Sequence, residues 1–135
     1  MNRGALIRHC AQTAPRGIAC EFGVFQGHSL RQIRNYRKPP VFGFDSWEGL
    51  PAEWDHGATP HPKGHFACDM PGDFATGVHL VPGWFAETIP AWREKHAGDV
   101  QLLHIDSDLY ESAREVLFGL NDRIRPGSVI LFDEL

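Results

Sequence analysis

Four short apolar runs in this chain carry a carboxylate at their end, and that repetition constrains the fold more than any other feature. GIACEFGVF (17–25) contains Glu21, VFGFD (41–45) ends at Asp45, VQLLHID (100–106) at Asp106 and SVILFD (128–133) at Asp133. Runs this short, rich in Val, Ile, Leu and Phe and bounded by Gly, Pro or Asp, read as buried strands. VHLVPG (78–83) is another, third in chain order. Helical patterns lie between them. From Gly27 to about Tyr36, Leu30 and Ile33 share a face, cations gather toward the end, and Pro39-Pro40 stops the helix. Tyr110, Ala113, Val116, Leu117, Leu120 and Ile124 recur at helical spacing, closed by Arg125-Pro126-Gly127. Strands alternating with helices predict an α/β fold: a doubly wound, mostly parallel sheet covered on both faces, one domain over 1–135.

In such a sheet a ligand lies beyond the C-terminal ends of the strands, where strand order reverses. Glu21, Asp45, Asp106 and Asp133 are therefore expected to face one crevice. The stretch 52–72 is different, being rich in Pro, Gly and His without a clear period. A connection that long reads as a lid-like loop. Its His56, His61, His65 and Cys68 match no compact zinc spacing and are taken as lid residues near a substrate. Trp47 and Trp54, at its front, either stack on a sugar or ring or pack the loop down.

Composition narrows the partners. A formal net charge of -4, with no Lys/Arg run, argues against nucleic acid. No apolar stretch approaches a membrane span, and MNRGALIRHC lacks the apolar core of a secretory signal. Cys10, Cys20 and Cys68 have no CxxC spacing and cannot all pair, so a reduced, cytoplasmic setting is expected.

EFGVFQGHS (21–29) has the pattern ExGxxxGxS between the first strand and the first helix. Gly23 and Gly27 let the backbone turn sharply and approach a ligand, and the helix start offers unpaired N–H groups. The plain alternative is a pair of turn glycines with Ser29 near a helix start. Asp45, 24 positions after Glu21, stands where an acid accepts hydrogen bonds from a ribose diol. Glu21 occupies the first glycine position of the dinucleotide motif, where an acid repels a pyrophosphate and suits an ammonium group. A nicotinamide dehydrogenase is thereby disfavoured, and an adenosine-type ligand carrying an ammonium is indicated.

EFGVFQGHS, FGFDSWEGLP (42–51), VPGWFAETIP (81–90), LLHIDSDLYESAREVL (102–117) and RPGSVILFDE (125–134), in that order, resemble the macrocin O-methyltransferase family of class I S-adenosylmethionine-dependent enzymes. The resemblance implies a Rossmann-like methyltransferase core, with S-adenosylmethionine as cofactor and a small-molecule hydroxyl as acceptor. It implies that Glu21, Gly23, Phe25, Gly27 and Ser29 hold the amino acid end of the cofactor, and Asp45 with Ser46 its ribose. Gly83, Trp84 and Phe85 would lie against the adenine, or Trp84 and Phe85 would simply pack a helix start on the sheet. Asp106 is expected to touch the cofactor as well.

With strands ordered 3-2-1-4-5, the fourth and fifth are neighbours roughly 5 Å apart, so Asp106 and Asp133 end side by side with Glu134 adjacent. Three carboxylates with no obvious Lys or Arg partner repel one another, and a hard divalent cation such as magnesium removes that penalty. The resemblance points to the same ligands, Asp106, Asp133 and Glu134. Asp108 is either a helix cap, since DLYE has capping-box spacing, or the general base that takes the acceptor's proton. His104, inside its strand, is taken as a satisfied core histidine.

The family carries more chain before the first strand, and a helix and two strands after the fifth, and its acidic pair is Asp-Asp where this chain has Asp133-Glu134. The domain is therefore expected to be incomplete, with the 128–133 strand as a bare edge able to pair with a second copy. Two functions stand: a divalent-metal-assisted O-methyltransferase acting on a sugar or other small acceptor, or a truncated S-adenosylmethionine-binding module without turnover.

Overall fold

The computed structural model describes residues 1–48, 54–56, 59–61 and 67–133. Its elements in chain order are α1 (Arg3–Thr13), β1 (Ile18–Phe22), α2 (His28–Tyr36), β2 (Val41–Asp45), β3 (Trp54–His56), β4 (Thr59–His61), β5 (Val78–Pro82), α3 (Phe85–Lys95), β6 (Val100–Ile105), α4 (Tyr110–Gly119) and β7 (Val129–Phe132). The expected strands all form. They pair in parallel in the order β5-β2-β1-β6-β7, which is the expected 3-2-1-4-5 order. No helix among the described residues is long and apolar enough to cross a membrane.

Side chains that alternate along each strand build two cores. Ile18, Cys20 and Phe22 of β1, Phe42 and Phe44 of β2, and Leu103 and Ile105 of β6 pack with Ile89 and Trp92 of α3 and Val116 and Leu120 of α4. Ala19, Val41 and Leu102 face the other way and meet Ile7, Cys10 and Ala11 of α1 and Leu30 and Ile33 of α2. Because period-two alternation assigns faces, Glu21 falls with Ala19, and His104 with Leu102, on the α1–α2 side. Two charged groups at the ends of otherwise apolar rows thereby enter the interior.

α1 has no counterpart in the sequence-based reading. The signal was local: Asn2 is an N-cap whose side chain accepts from the Ala5 amide at 2.8 Å, and Ile7, Cys10, Ala11 and Ala14 fall on one buried stripe. α2 holds this helix at both ends. Gln32 Nε2 donates to the Gly4 carbonyl at 2.6 Å, and the Arg37 guanidinium, just past α2, donates to the carbonyls of Ala11, Ala14, Pro15 and Gly17. The N-terminal turn of α1 is thereby fixed over the C-terminal ends of β6 and β7.

Two further differences follow from short-range geometry. The helix expected to reach Ile124 ends at Gly119, and a single 3-10 turn at Asn121–Arg123 carries the chain on. A side chain at Gly119 would meet Ile89 at 2.8 Å, so α3 approaches too closely for anything larger there. Within 52–72, β3 and β4 pair antiparallel, Trp54 opposite His61; strands of three residues are too short to show a period. His65 and the side chains of Trp54, His56 and His61 lie outside the described residues. Cys68 is half-buried against the α1–α2 core, and all three cysteines are free.

Phe22 stacks on Phe44 at 4.6 Å between ring centres and meets the edge of Phe85 at 5.5 Å. It is fully buried. Phe22→Ala is expected to lower the unfolding free energy by about 3–5 kcal/mol. Urea unfolding followed by far-UV circular dichroism checks this, and a loss below about 1 kcal/mol contradicts the packing described.

Candidate active site

β1 pairs with β2 on one side and β6 on the other, so strand order reverses beside the C-terminal end of β1. A crevice of about 360 Å³ opens there, a size that admits a small-molecule ligand. One wall is Gly23, Phe25, Asp45 and Ser46; another is Gly83, Trp84, Phe85 and Ala86; Asp106, Ser107 and Asp108 close the third side. Gly23 makes the opening possible. Its amide donates to the Phe44 carbonyl, and the Asp106 amide donates to the Phe22 carbonyl, both at 2.9 Å, so the chains leaving β1 and β6 run close together. A Cβ on Gly23 would lie 2.0 Å from the Asp106 carbonyl oxygen, and its φ of +96° is itself disfavoured for other residues.

Asp45 organises the loop opposite. Its Oδ2 accepts from the Val24 and Phe25 amides at 2.9 and 2.8 Å, and its Oδ1 from the Trp47 amide at 2.9 Å. Trp47 is buried and its indole N–H donates to the Phe25 carbonyl at 2.8 Å. Of the two readings for Trp47, packing the loop is the one the geometry realises. Phe25, Trp47 and Asp108 all have φ near +60°, a left-handed conformation that non-glycine residues rarely adopt. Such residues gather where surrounding structure dictates the backbone, commonly at functional sites. Phe85 serves two surfaces, packing on Phe22 and lining the crevice, while Trp84 is the N-cap residue of α3.

Behind the Asp106 side sits a charged cluster. The structure corrects the expectation that these carboxylates lack a basic partner: the Arg3 guanidinium of α1 donates to Asp106 Oδ2 at 3.0 Å and to Asp133 Oδ1. No local pattern could reveal this, because Arg3 lies 103 and 130 positions away in sequence. His104 corrects a second expectation. Its Nδ1 is 2.7 Å from Glu21 Oε2, and its Nε2 lies 3.6 Å from Asp133 Oδ1, too long for a hydrogen bond. It is a buried histidine held between two carboxylates, behind the crevice and not lining it.

The charges sort themselves by environment. Burial by itself lowers the His104 pKa, but contacts with Asp133 and Glu21 and the nearby Asp106 outweigh it and carry the imidazole up to about 9. Asp133 faces both His104 and Arg3, which hold it well below the usual carboxylate range. Burial, reinforced by the negative charges of Asp133 and Asp108, pushes Asp106 up to about 7. Adjacent carboxylates with opposite shifts are the arrangement in which one group holds a proton while its neighbour stays ionised.

Gly23, Phe25, Asp45, Ser46, Gly83, Trp84, Phe85, Asp106 and Asp108 meet at the crevice. Gly27, Ser29 and Glu21 do not line it. Gly27 and Ser29 are buried at the start of α2. Glu21, expected to meet a ligand's ammonium group directly, has no exposed surface and turns instead to His104. The N-cap position of α4 falls on Leu109, one residue after Asp108, and Glu111 lies in the first turn. Glu134 lies outside the described residues.

The family model described as Methyltransferase domain matches residues 20–135. A curated relative, the 8-demethyl-8-(2,3-dimethoxy-alpha-L-rhamnosyl)-tetracenomycin-C 4'-O-methyltransferase of Streptomyces olivaceus, is 35% identical over 57 residues, covering 42% of this chain and 21% of the relative. Among solved structures, the calicheamicin methyltransferase CalS11 aligns with a TM-score of 0.77 at 24% identity, over 98% of this chain and 62% of that one. The O-methyltransferase NovP aligns with a TM-score of 0.69 at 23% identity, over 98% and 64%. At such identities these structures establish a shared fold. The chain thus spans about a fifth of the curated relative's length and under two thirds of these two structures.

An Asp106 pKa raised to about 7 means that the folded chain holds a proton which the unfolded chain releases near pH 4. This group's contribution to stability is full below about pH 4 and declines as pH rises toward 7, by up to about tenfold in the folding equilibrium per pH unit. Asp106→Asn is expected to flatten that decline. Urea midpoints at about pH 4.5 and about pH 6, in chelator, check it; a wild-type decline that persists in Asp106→Asn assigns the proton elsewhere.

Proposed function

The chain belongs to the methyltransferase-domain family, and on that premise we propose that it moves a methyl group from S-adenosylmethionine to a hydroxyl of a sugar or other small acceptor. The observation that carries this reading is the crevice at the strand-order reversal, where an aromatic wall, an ordered glycine loop and the carboxylates of Asp45, Asp106 and Asp108 converge. The tetracenomycin-type relative is named for a rhamnosyl hydroxyl, which supports a sugar as the acceptor class.

The residues suit the cofactor. The space a Cβ would fill at Gly23 is a close backbone approach, and the loop carrying Phe25 is held open by Asp45. In this reading Gly23 and Phe25 face the amino acid end, with Gly27, Ser29 and Glu21 shaping the loop from behind. Asp45 and Ser46 meet the ribose, and Gly83, Trp84 and Phe85 the adenine. Asp106 bounds both the cofactor space and the charged cluster.

The donor set behind the crevice also suits a divalent cation, such as magnesium, held by Asp106, Asp133 and Glu134. Two carboxylates already meet there, Asp106 and Asp133, with ligand atoms within 4.8 Å of each other. When bound, the cofactor supplies an electrophilic methyl and the cation a Lewis acid that acidifies a nearby hydroxyl. Asp108, at the crevice and in a backbone conformation imposed on it, takes the acceptor's proton as general base. Phe25 at one end and Trp84 and Phe85 at the other would fix where the cofactor lies, so much of the rate comes from positioning.

Calorimetric titration of S-adenosylhomocysteine into the purified chain is expected to show saturable binding. Asp45→Ala is expected to weaken it by about 10- to 100-fold, the worth of charge-assisted hydrogen bonds to the loop and ligand. A folded wild-type sample that binds no S-adenosylhomocysteine overturns the assignment.

A further inference from the structure

The peptide groups of the glycine loop, 24–27, are tied off one after another. The amides of Val24 and Phe25 go to Asp45, and the Phe25 carbonyl accepts the Trp47 indole N–H. The Val24 carbonyl accepts the Gly27 amide at 3.0 Å, which closes the turn. The Gln26 carbonyl is met by a side chain of the following helix: Arg31 of α2 donates to it through Nη1 at 3.0 Å. The other arm of the same guanidinium, Nη2, donates to the Gly72 carbonyl at 2.7 Å. One half-buried side chain therefore joins the loop to the segment 72–76.

Arg31 also carries the loop's outer cover. Its guanidinium lies 4.3 Å from the centre of the Phe74 ring, a cation–π contact, and Phe74 packs on the α1–α2 core. A Cβ at Gly27 would come within 2.7 Å of that ring and 3.0 Å of Arg31 Nη1. The loop is thus pressed from outside by Phe74 and the guanidinium, and faces the crevice through Gly23 and Phe25. Arg31 itself is not among the described residues that line the crevice. Arg34, on the same helix, makes a comparable tie to the same segment, donating to the Thr76 carbonyl at 3.0 Å. Its other hydrogen bond goes to the Arg37 carbonyl, so both lie outside the loop.

We propose that Arg31 is a positioning residue for the amino acid end of the cofactor: it fixes the Gln26 peptide, and with it the backbone of Phe25, without touching the ligand. The inference rests on the cofactor reading above, in which Gly23 and Phe25 face that end. A planar fork is required, because two carbonyls are held at once while the same group covers an aromatic ring. A lysine ammonium has the charge but not the fork. Fixing the loop beforehand reduces the entropy that binding would otherwise cost, and the effect is confined to the part of the ligand that meets the loop.

The test is calorimetric titration of two ligands into the full chain: S-adenosylhomocysteine, and 5′-methylthioadenosine, which keeps the nucleoside but lacks the amino acid. Wild type is compared with Arg31→Met, Arg31→Lys and Arg34→Met. Both Arg31 variants are expected to weaken S-adenosylhomocysteine by about 3- to 10-fold, the scale of ordering a short piece of loop on binding, and to leave methylthioadenosine unchanged. Arg34→Met cuts a tie to the segment 72–76 without touching the loop, and is expected to change neither ligand. Wild-type affinity for S-adenosylhomocysteine in Arg31→Met, or a parallel loss of both ligands, overturns the inference and leaves the cofactor reading standing. An equal loss in Arg34→Met overturns it by assigning the effect to the segment 72–76. Full affinity in Arg31→Lys overturns it in favour of a direct charge contact with the ligand. A wild type that binds no S-adenosylhomocysteine removes the cofactor reading and this inference with it. Should Arg31→Met fail to fold, or methylthioadenosine bind too weakly to titrate, Arg31→Lys against Arg34→Met with S-adenosylhomocysteine decides: weakening in the first alone supports the role, and its absence refutes it.

Discussion

Carboxylates brought together at the ends of neighbouring parallel strands repel, and the structure around β1, β6 and β7 is organised by how that repulsion is relieved. Asp106 and Asp133 end side by side because Ile105 and Phe132 are in register. Glu21 lies one strand further in, opposite His104. Two cations answer three acids: His104 stands between Glu21 and Asp133, and Arg3 bridges Asp133 and Asp106. The helix α1 is consequently bound to the sheet by charge as well as by Ile7, Cys10 and Ala11. Removing one partner from a buried ionic set leaves the others uncompensated, which is costly out of proportion to any single contact.

The crevice depends on this cluster and is also separated from it. Asp106 is the shared residue, with its carboxylate held by Arg3 on one side and the crevice on the other. Across the opening, Asp45 spends its oxygens on the amides of Val24, Phe25 and Trp47, so the glycine loop is ordered before any ligand arrives. Preorganisation of this kind reduces the entropy a ligand would otherwise lose on binding. It also explains why Phe25 and Trp47 adopt left-handed backbones: an aspartate that collects three amides leaves the chain little other choice.

Much of the site was legible because strand ends announce themselves. The short apolar runs, read as parallel strands, put Asp45, Asp106 and Asp133 at strand ends on one rim, and the spacing of Gly23 and Gly27 marked the loop after the first strand. α1 was legible in principle, through Asn2 and the 7-10-11-14 stripe, but an isolated amphipathic stretch says nothing about which strand ends its first turn will cover. Glu21 and His104 were misjudged for a related reason. Each was read as an individual residue, one as a ligand contact and one as core, whereas their behaviour follows from being cross-strand partners in adjacent strands.

Local periodicity and turn residues therefore determined the strands, the helices between them and the acids at the strand ends, because those depend on interactions a few residues long, while the order of the strands followed from the doubly wound fold class. Tertiary structure alone decided how the acids are neutralised. Arg3 reaches Asp106 and Asp133 across 103 and 130 residues, and Glu21 finds His104 across 83. Electrostatic pairing acts through space in a low-dielectric interior, and a sequence read in order carries no measure of that distance.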